Sequence, residues 1–169
     1  MVALTLVPLE AKDTLRRMME IYLSEFAQWD LRDMDENGLY GYEYLDCYWE
    51  EENRFPYFIR VDGRLAGFIL VNDYPEVPGL QTDFCLSEFF VLPKYRRCGT
   101  GSAAARMVFD LHRGQWQLKY HPGNAASLRF WRRIVEDYTS GDFRLIEAYP
   151  DETVNYDDST PADVILFAN

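Results

Sequence analysis

The chain has 169 residues and a mass of 19.9 kDa, the size of one ordinary domain and long enough to bury a core without a metal or disulfide staple. Hydrophobic residues make up 48% and aromatics 16%, which excludes an intrinsically disordered chain. The 17 basic and 28 acidic residues leave a net charge of −11, which repels nucleic acid and anionic membranes and favours cationic or neutral partners. No apolar run approaches the roughly 18 residues of a membrane helix, and the opening run from Val2 to Leu9 is broken by Thr5 and Pro8 without the basic start of a signal peptide. Cys47, Cys85 and Cys98 have no CxxC spacing and only His112 and His121 to join them, so the expectation is free thiols in a cytoplasmic protein without a metal site.

Residues 2–7 alternate weakly and predict a first strand. Over residues 11–29, Leu15, Met18, Met19, Tyr22 and Phe26 recur at helical spacing with Lys12, Arg16, Arg17 and Glu20 between them, the pattern of an amphipathic helix. After a polar break at Asn37-Gly38, residues Tyr40, Tyr44, Leu45, Tyr48 and Trp49 predict a second helix, ending near Asn53 before a break at Pro56. Residues 57–61 and 65–71 flank Asp62-Gly63, a dipeptide suited to the positive φ angles of a two-residue turn, and predict an antiparallel hairpin. A loop through Pro75, Pro78 and Gly79 leads to a strand over residues 82–91, where Glu88 falls on the same period-two face as Phe84, Leu86 and Phe90. A helix over 101–112, a strand over 115–120, a helix over 124–135 and strands near 143–149 and 163–167 complete the chain, with an acidic, polar linker over 150–161. The hairpin rules out a uniformly parallel sheet, and the element order predicts one mixed α/β domain over residues 1–169.

Charge is unevenly distributed. Residues 94–133 hold nine basic side chains against one acid, Asp110, inside an otherwise acidic protein. Either a bound anion or a solvated basic helix face accounts for such an island. Within it, Val91-Leu92-Pro93 runs through Lys94-Tyr95-Arg96-Arg97-Cys98-Gly99-Thr100-Gly101-Ser102 into a helix. Glycines at a helix start let backbone N–H groups approach phosphate oxygens, and the helix dipole favours negative charge there. The same glycines also serve close packing. No Gly-Lys-Ser/Thr follows, which excludes a Walker loop, and Ala104 occupies the third-glycine position of a dinucleotide fingerprint.

Arg96-x-x-Gly99-x-Gly101, preceded by Val91, Pro93 and Tyr95, resembles the acetyl-CoA loop of the GNAT superfamily of N-acetyltransferases. Asn124, Ser127, Phe130 and Trp131 resemble that superfamily's downstream motif. The resemblance implies a mostly antiparallel sheet of about six or seven strands flanked by about four helices, with two central parallel strands splayed around the cofactor. It implies that Arg96, Arg97, Gly99, Gly101 and Ser102 hold the CoA pyrophosphate, chiefly through backbone amides. Backbone groups of Phe89 and Val91 would pair with the pantetheine arm, Asn124 would touch it, and Phe130 with Trp131 would wall the site. Acetyl-CoA is the implied co-substrate, with no metal.

The resemblance also implies direct attack by an amine in a ternary complex, which leaves Cys85 and Cys98 without a nucleophilic role. Such a reaction needs an amine freed of its proton and a sulfur given one. Glu88 is the candidate base, since a carboxylate in an apolar strand is costly unless paired or used; pairing with an arginine or an outward turn at a strand bulge are the alternatives. Asp83 is a weaker candidate. Trp131 stands where many members carry a tyrosine acid, so Tyr95, Tyr120 or water must serve instead. The first helices and their loop supply Trp29, Asp30, Asp33, Asp35, Glu36, Tyr40, Tyr42 and Tyr44, an acidic and aromatic set. Such a set suits a cationic amine on a small molecule or a protein, with Trp29, Asp30 and Tyr40 as its nearest contacts; a solvated loop with packed tyrosines is the alternative. A CoA-binding sensor without catalysis and a domain that binds a basic protein are the rival functions, and edge strands with exposed tyrosines leave room for a homodimer.

Overall fold

The computed structural model describes residues 1–156 and 160–169. Seven strands, β1 (Val2–Leu6), β2 (Arg54–Val61), β3 (Arg64–Asn72), β4 (Phe84–Val91), β5 (Gln115–Tyr120), β6 (Phe143–Ile146) and β7 (Asp163–Ala168), form one sheet in the order β1-β2-β3-β4-β5-β7-β6. Only β4 and β5 are parallel. Helix α1 (Lys12–Asp30) and the single turn α2 (Cys47–Glu50) cover one face, where Leu15, Met19 and Leu23 pack on Phe58, Phe68 and Phe90. Helices α3 (Thr100–Leu111) and α4 (Ala125–Thr139) cover the other, with Ala104, Val108 and Ile134 against Ile59, Ile69 and Trp116. The architecture is the mixed, mostly antiparallel α/β sandwich expected. Among the described residues no helix is long and apolar enough to cross a membrane, and no cluster of three metal-ligating side chains occurs.

The hairpin turn takes the expected form, with φ of 49° at Asp62 and 78° at Gly63. Pro56 does not break the chain. It lies inside β2 opposite Leu70, and its carbonyl accepts the Val7 N–H at 2.9 Å. The donor that proline lacks is replaced from elsewhere: the Trp49 indole N–H donates to the Val7 carbonyl at 3.0 Å.

The predicted second helix is reduced to α2. Gly38 and Gly41 adopt φ of 75° and 71°, Asp35 accepts the N–H groups of Asn37 and Leu39, and Glu20 of α1 accepts those of Tyr40 and Gly41. The backbone groups a helix would use are committed to side chains, so the segment is a loop strapped to α1. Strand β6 is shorter than predicted and α4 longer, ending at Ser140 with φ of 57°. Residues 157–159 of the predicted linker lie outside the described residues.

Two irregularities open the sheet at its centre. The β3–β4 register jumps between Leu70↔Glu88 and Val71↔Leu86, which makes Ser87 a bulge. Parallel pairing of β4 with β5 ends at Leu86↔Leu118, so the remainder of β4 diverges from β5. The bulge also corrects the predicted face. Leu86 packs among the residues under α3 and α4, whereas Glu88 turns with Phe90 toward α1.

Candidate active site

A cavity of about 560 Å³ occupies the divergence. β4 contributes Phe89 and Val91, β5 and its following turn Tyr120 and His121, α3 Gly101 and Ser102, α4 Phe130 and Trp131, and α1 Tyr22, Phe26 and Trp29. The Leu92 N–H bonds the Ala66 carbonyl on β3 at 2.8 Å. Strand alternation therefore turns the backbone groups of Phe89 and Val91 to the opposite edge, into the opening.

At one end of the cavity, α3 begins after Gly99, whose φ of 84° suits glycine and ends the preceding turn. The first intrahelical bond is made by Ala103 N–H to the Gly99 carbonyl at 3.0 Å, which leaves the amides of Thr100, Gly101 and Ser102 without helical partners. A Cβ on Gly101 would lie 3.3 Å from the Phe130 ring, so glycine keeps the cradle open between α3 and α4. Three amides without a partner among the described residues, at the positive end of a helix beside a cavity of this size, fit a pyrophosphate group. Arg97, exposed and with φ of 60°, has no ion-pair partner among the described residues, nor do Lys94, Arg129 and Arg132.

Arg96 lines the cavity, with its side chain engaged inside the protein. Its Nε donates to the Val91 carbonyl at 2.6 Å, its Nη2 to Glu25 at 2.8 Å, and the guanidinium lies over the Phe90 ring. Arg96 therefore fastens the loop to β4 and α1, and it occupies one of the two Val91 backbone groups expected to face pantetheine. Asn124 caps α4, its Oδ1 accepting the Ser127 N–H at 3.0 Å, while still lining the cavity. Phe130 and Trp131 pack with Phe89 at centroid distances of 5.7 and 4.9 Å to form one wall.

Glu88 is half-buried beneath α1 and does not line the cavity itself. Burial pushes its carboxyl up to about 7, while the adjacent Tyr22 and Tyr42 hydroxyls and the more distant Arg32 oppose the rise, and Glu76 adds to it. It makes no ion pair with an arginine among the described residues. Tyr22 links it to the cavity, which its ring lines. Asp83 instead accepts the Gln115 N–H at 2.7 Å and serves the start of the parallel pairing. Of the tyrosines considered as acids, Tyr95 packs against the core and is not among the lining residues, whereas Tyr120 lines the cavity. The Tyr120 hydroxyl is buried with no hydrogen-bond partner among the described residues, and burial, aided by Asp163 and Glu147, raises its pKa.

The acidic and aromatic set divides. Trp29 lines the main cavity, but Asp30 and Tyr40 line an adjoining cavity of about 360 Å³ with Arg32, Asp33 and Tyr156. Asp30 is paired with Arg32, while Asp33 has no ion-pair partner among the described residues. Asp35 is committed to its own loop, Tyr42 lies close enough to Glu88 to act on its titration, and Tyr44 lies under Arg54 away from both cavities. Tyr156 borders both cavities and stacks on Phe26 at 5.5 Å. Sequence reasoning missed Tyr22, Phe26, His121 and Tyr156 as site residues. Only His121 carried a local signal, its place in the His-Pro-Gly-Asn turn ahead of the motif helix.

The family model described as acetyltransferase (GNAT) family matches residues 15–135. Among curated proteins nothing matches significantly. Similar solved structures include a protein of Bacteroides thetaiotaomicron assigned to the GNAT family, with a TM-score of 0.62 and 19% identity over 99% of this chain and 87% of that one. Another is an aminoglycoside acetyltransferase in complex with coenzyme A, with a TM-score of 0.69 and 14% identity over 100% and 95%. A third is the ribosomal-protein-S18-alanine N-acetyltransferase of Escherichia coli, with a TM-score of 0.56 and 14% identity over 98% and 91%. At these identities the likeness is one of fold.

Proposed function

Since the chain belongs to the acetyltransferase (GNAT) family, we propose that it moves an acetyl group from acetyl-CoA to a primary, cationic amine by direct attack in a ternary complex, acting as one domain over residues 1–169. The observation that carries this reading is the continuous cavity between the diverging strands, which joins the amide cradle of α3 to the aromatic face of α1. In this reading the Thr100, Gly101 and Ser102 amides with Arg97 bind the pyrophosphate, Phe89 and Val91 align the pantetheine arm, and Phe130 with Trp131 exclude water. Bound acetyl-CoA supplies an electrophilic thioester carbonyl and a sulfur leaving group. Glu88 takes the proton that the acceptor ammonium must shed before its nitrogen attacks, received through the Tyr22 hydroxyl. Tyr120 holds a proton for the departing sulfur in place of the tyrosine that Trp131 replaces. Asp33, Trp29, Tyr40 and Tyr156 support a cationic acceptor by charge and ring contact. Solved neighbours include an aminoglycoside acetyltransferase in complex with ribostamycin and coenzyme A.

Thermal unfolding with acetyl-CoA, CoA and ATP, followed by acetylation of an amine panel, tests the reading. A ligand at 100 times its Kd adds about 2.7 kcal/mol of stability. Stabilisation by both CoA species and not by ATP, with turnover of cationic amines, is the expected result. No response to either CoA species overturns it, preference for neutral or acidic amines overturns the acceptor class, and binding without turnover across the panel leaves a CoA sensor.

A further inference from the structure

β5 ends at Tyr120, and His121-Pro122-Gly123-Asn124 forms a tight turn closed by the Asn124 N–H donating to the His121 carbonyl at 2.9 Å. Inside that turn the Gly123 N–H donates to His121 Nδ1 at 3.0 Å. A ring nitrogen that accepts carries no proton, so the His121 proton sits on Nε2. A Cβ on Gly123 would come within 3.0 Å of Nδ1 and 3.2 Å of the Trp29 ring, so glycine permits this close turn. The tautomer is thus set by local backbone, independently of any ligand.

His121 Nε2 is buried and has no hydrogen-bond partner among the described residues, although the ring lines the main cavity and the residue is only 8% exposed. A buried donor left unpaired is costly and uncommon, and one set beside a binding cavity is poised for a ligand acceptor. Its neighbours are aromatic: Tyr156 at a centroid distance of 5.0 Å, Phe26 at 6.4 Å, and Trp29 packed on Phe26. Of the carboxylates that act on the Tyr156 hydroxyl, Glu76 is paired with Lys119 at 3.2 Å and Asp30 with Arg32, and the Lys119 ammonium lies over the Tyr156 ring. An ionic ligand group therefore meets no unpaired counter-charge from these pairs, and a neutral oxygen needs none.

Resting on the acetyl-transfer reading above, we propose that His121 determines acceptor specificity: its Nε2–H donates to a neutral hydroxyl or carbonyl oxygen of an amine whose apolar body lies among Phe26, Trp29 and Tyr156. The acceptor class is an amino alcohol or amino amide with a flat apolar body. Attack by the amine nitrogen requires no proton from His121, which acts on binding and orientation.

The chain has two histidines, His112 and His121, so ring nitrogen resonances of a protein labelled with 15N-histidine are readily assigned. The probes are phenylalaninol and phenylalaninamide, which carry the two kinds of oxygen, and 2-phenylethylamine, which carries none, each added to the CoA-saturated protein. The oxygen-bearing amine is expected to shift the His121 Nε2–H resonance, and to be acetylated with a kcat/KM at least tenfold above that of 2-phenylethylamine. Whichever of the alcohol and the amide gives the larger shift identifies the oxygen. His121→Phe keeps a ring and removes the donor, and should level the three amines by raising KM for the oxygen-bearing ones; His121→Gln, which retains an N–H near the same place, should restore part of the preference. An unmoved Nε2 resonance with the CoA-induced thermal shift intact overturns this proposal alone, as does a fall in kcat common to all three amines. Loss of the CoA response in the unmodified protein overturns the acetyl-transfer reading instead.

Discussion

Glu88→Gln separates the energetic cost of the buried carboxyl from its use. In the unfolded chain the carboxyl titrates near its ordinary value of 4.5, and in the folded protein burial raises it to about 7 against the opposing influence of the Tyr22 and Tyr42 hydroxyls. The folded state therefore holds the proton more tightly than the unfolded one. The stability this contributes is fully present below pH 4.5 and is lost as pH rises through 7. Linkage over that interval amounts to about 2.5 kcal/mol between pH 5 and pH 8. Glutamine cannot titrate, so urea unfolding of the wild type and of Glu88→Gln at half-unit pH steps should diverge by about that amount, with the variant relatively more stable at the alkaline end. If Glu88 also receives the acceptor's proton, kcat/KM should climb about tenfold per pH unit below 7 and level above it, and the variant should lose that inflection together with most of its turnover. Parallel stability profiles for the two proteins across pH 5 to 8 would refute the burial argument. A divergence in stability without a change in the rate profile would leave Glu88 buried but unused.

Gly67→Ala would place a Cβ 2.0 Å from the Phe90 carbonyl oxygen, a backbone atom that cannot rotate away. The β3–β4 ladder must part at the Gly67–Val91 pair, at a cost of about 2–3 kcal/mol read as a lowered urea midpoint; an unchanged midpoint refutes the close approach. Tyr120→Phe removes a buried, unpartnered hydroxyl, so stability should hold or rise by up to about 1 kcal/mol, while kcat falls at least tenfold and the CoA thermal shift persists. Full turnover in Tyr120→Phe would move the proton donor to water.

What was legible in the sequence is what short-range chemistry decides. Asp62-Gly63 fixes a hairpin because both residues tolerate positive φ, and α1 follows from its apolar stripe. The glycines of the α3 cradle could be read the same way, since the backbone that uses them lies within five residues. The misread elements depend on distant partners. Tyr40 and Gly41 are kept from a helix by Glu20, twenty residues earlier, and Pro56 is tolerated inside a strand because Trp49 covers the Val7 carbonyl. No local window contains both Glu20 and Tyr40, or both Val7 and Pro56.

The same distinction explains why the acceptor side of the site was harder to read than the cofactor side. A period-two count puts Glu88 with Leu86, and a single bulge at Ser87 reverses that, moving the carboxyl from the α4 face to Tyr22 of α1 and Tyr42 of the following loop. The bulge arises where β4 leaves β5, and that divergence is also what creates the cavity. The irregularity that defeated the face assignment is thus the one that makes the site. It sets Glu88 behind Tyr22, directs the Phe89 and Val91 backbone into the opening, and leaves Tyr120 and His121 at the free end of β5 with polar atoms that the fold itself does not satisfy. A regular β4 would have closed the sheet and paired those strand groups. The unsatisfied Tyr120 hydroxyl and His121 Nε2–H therefore mark, on either side of one strand end, where ligand atoms rather than protein atoms complete the structure.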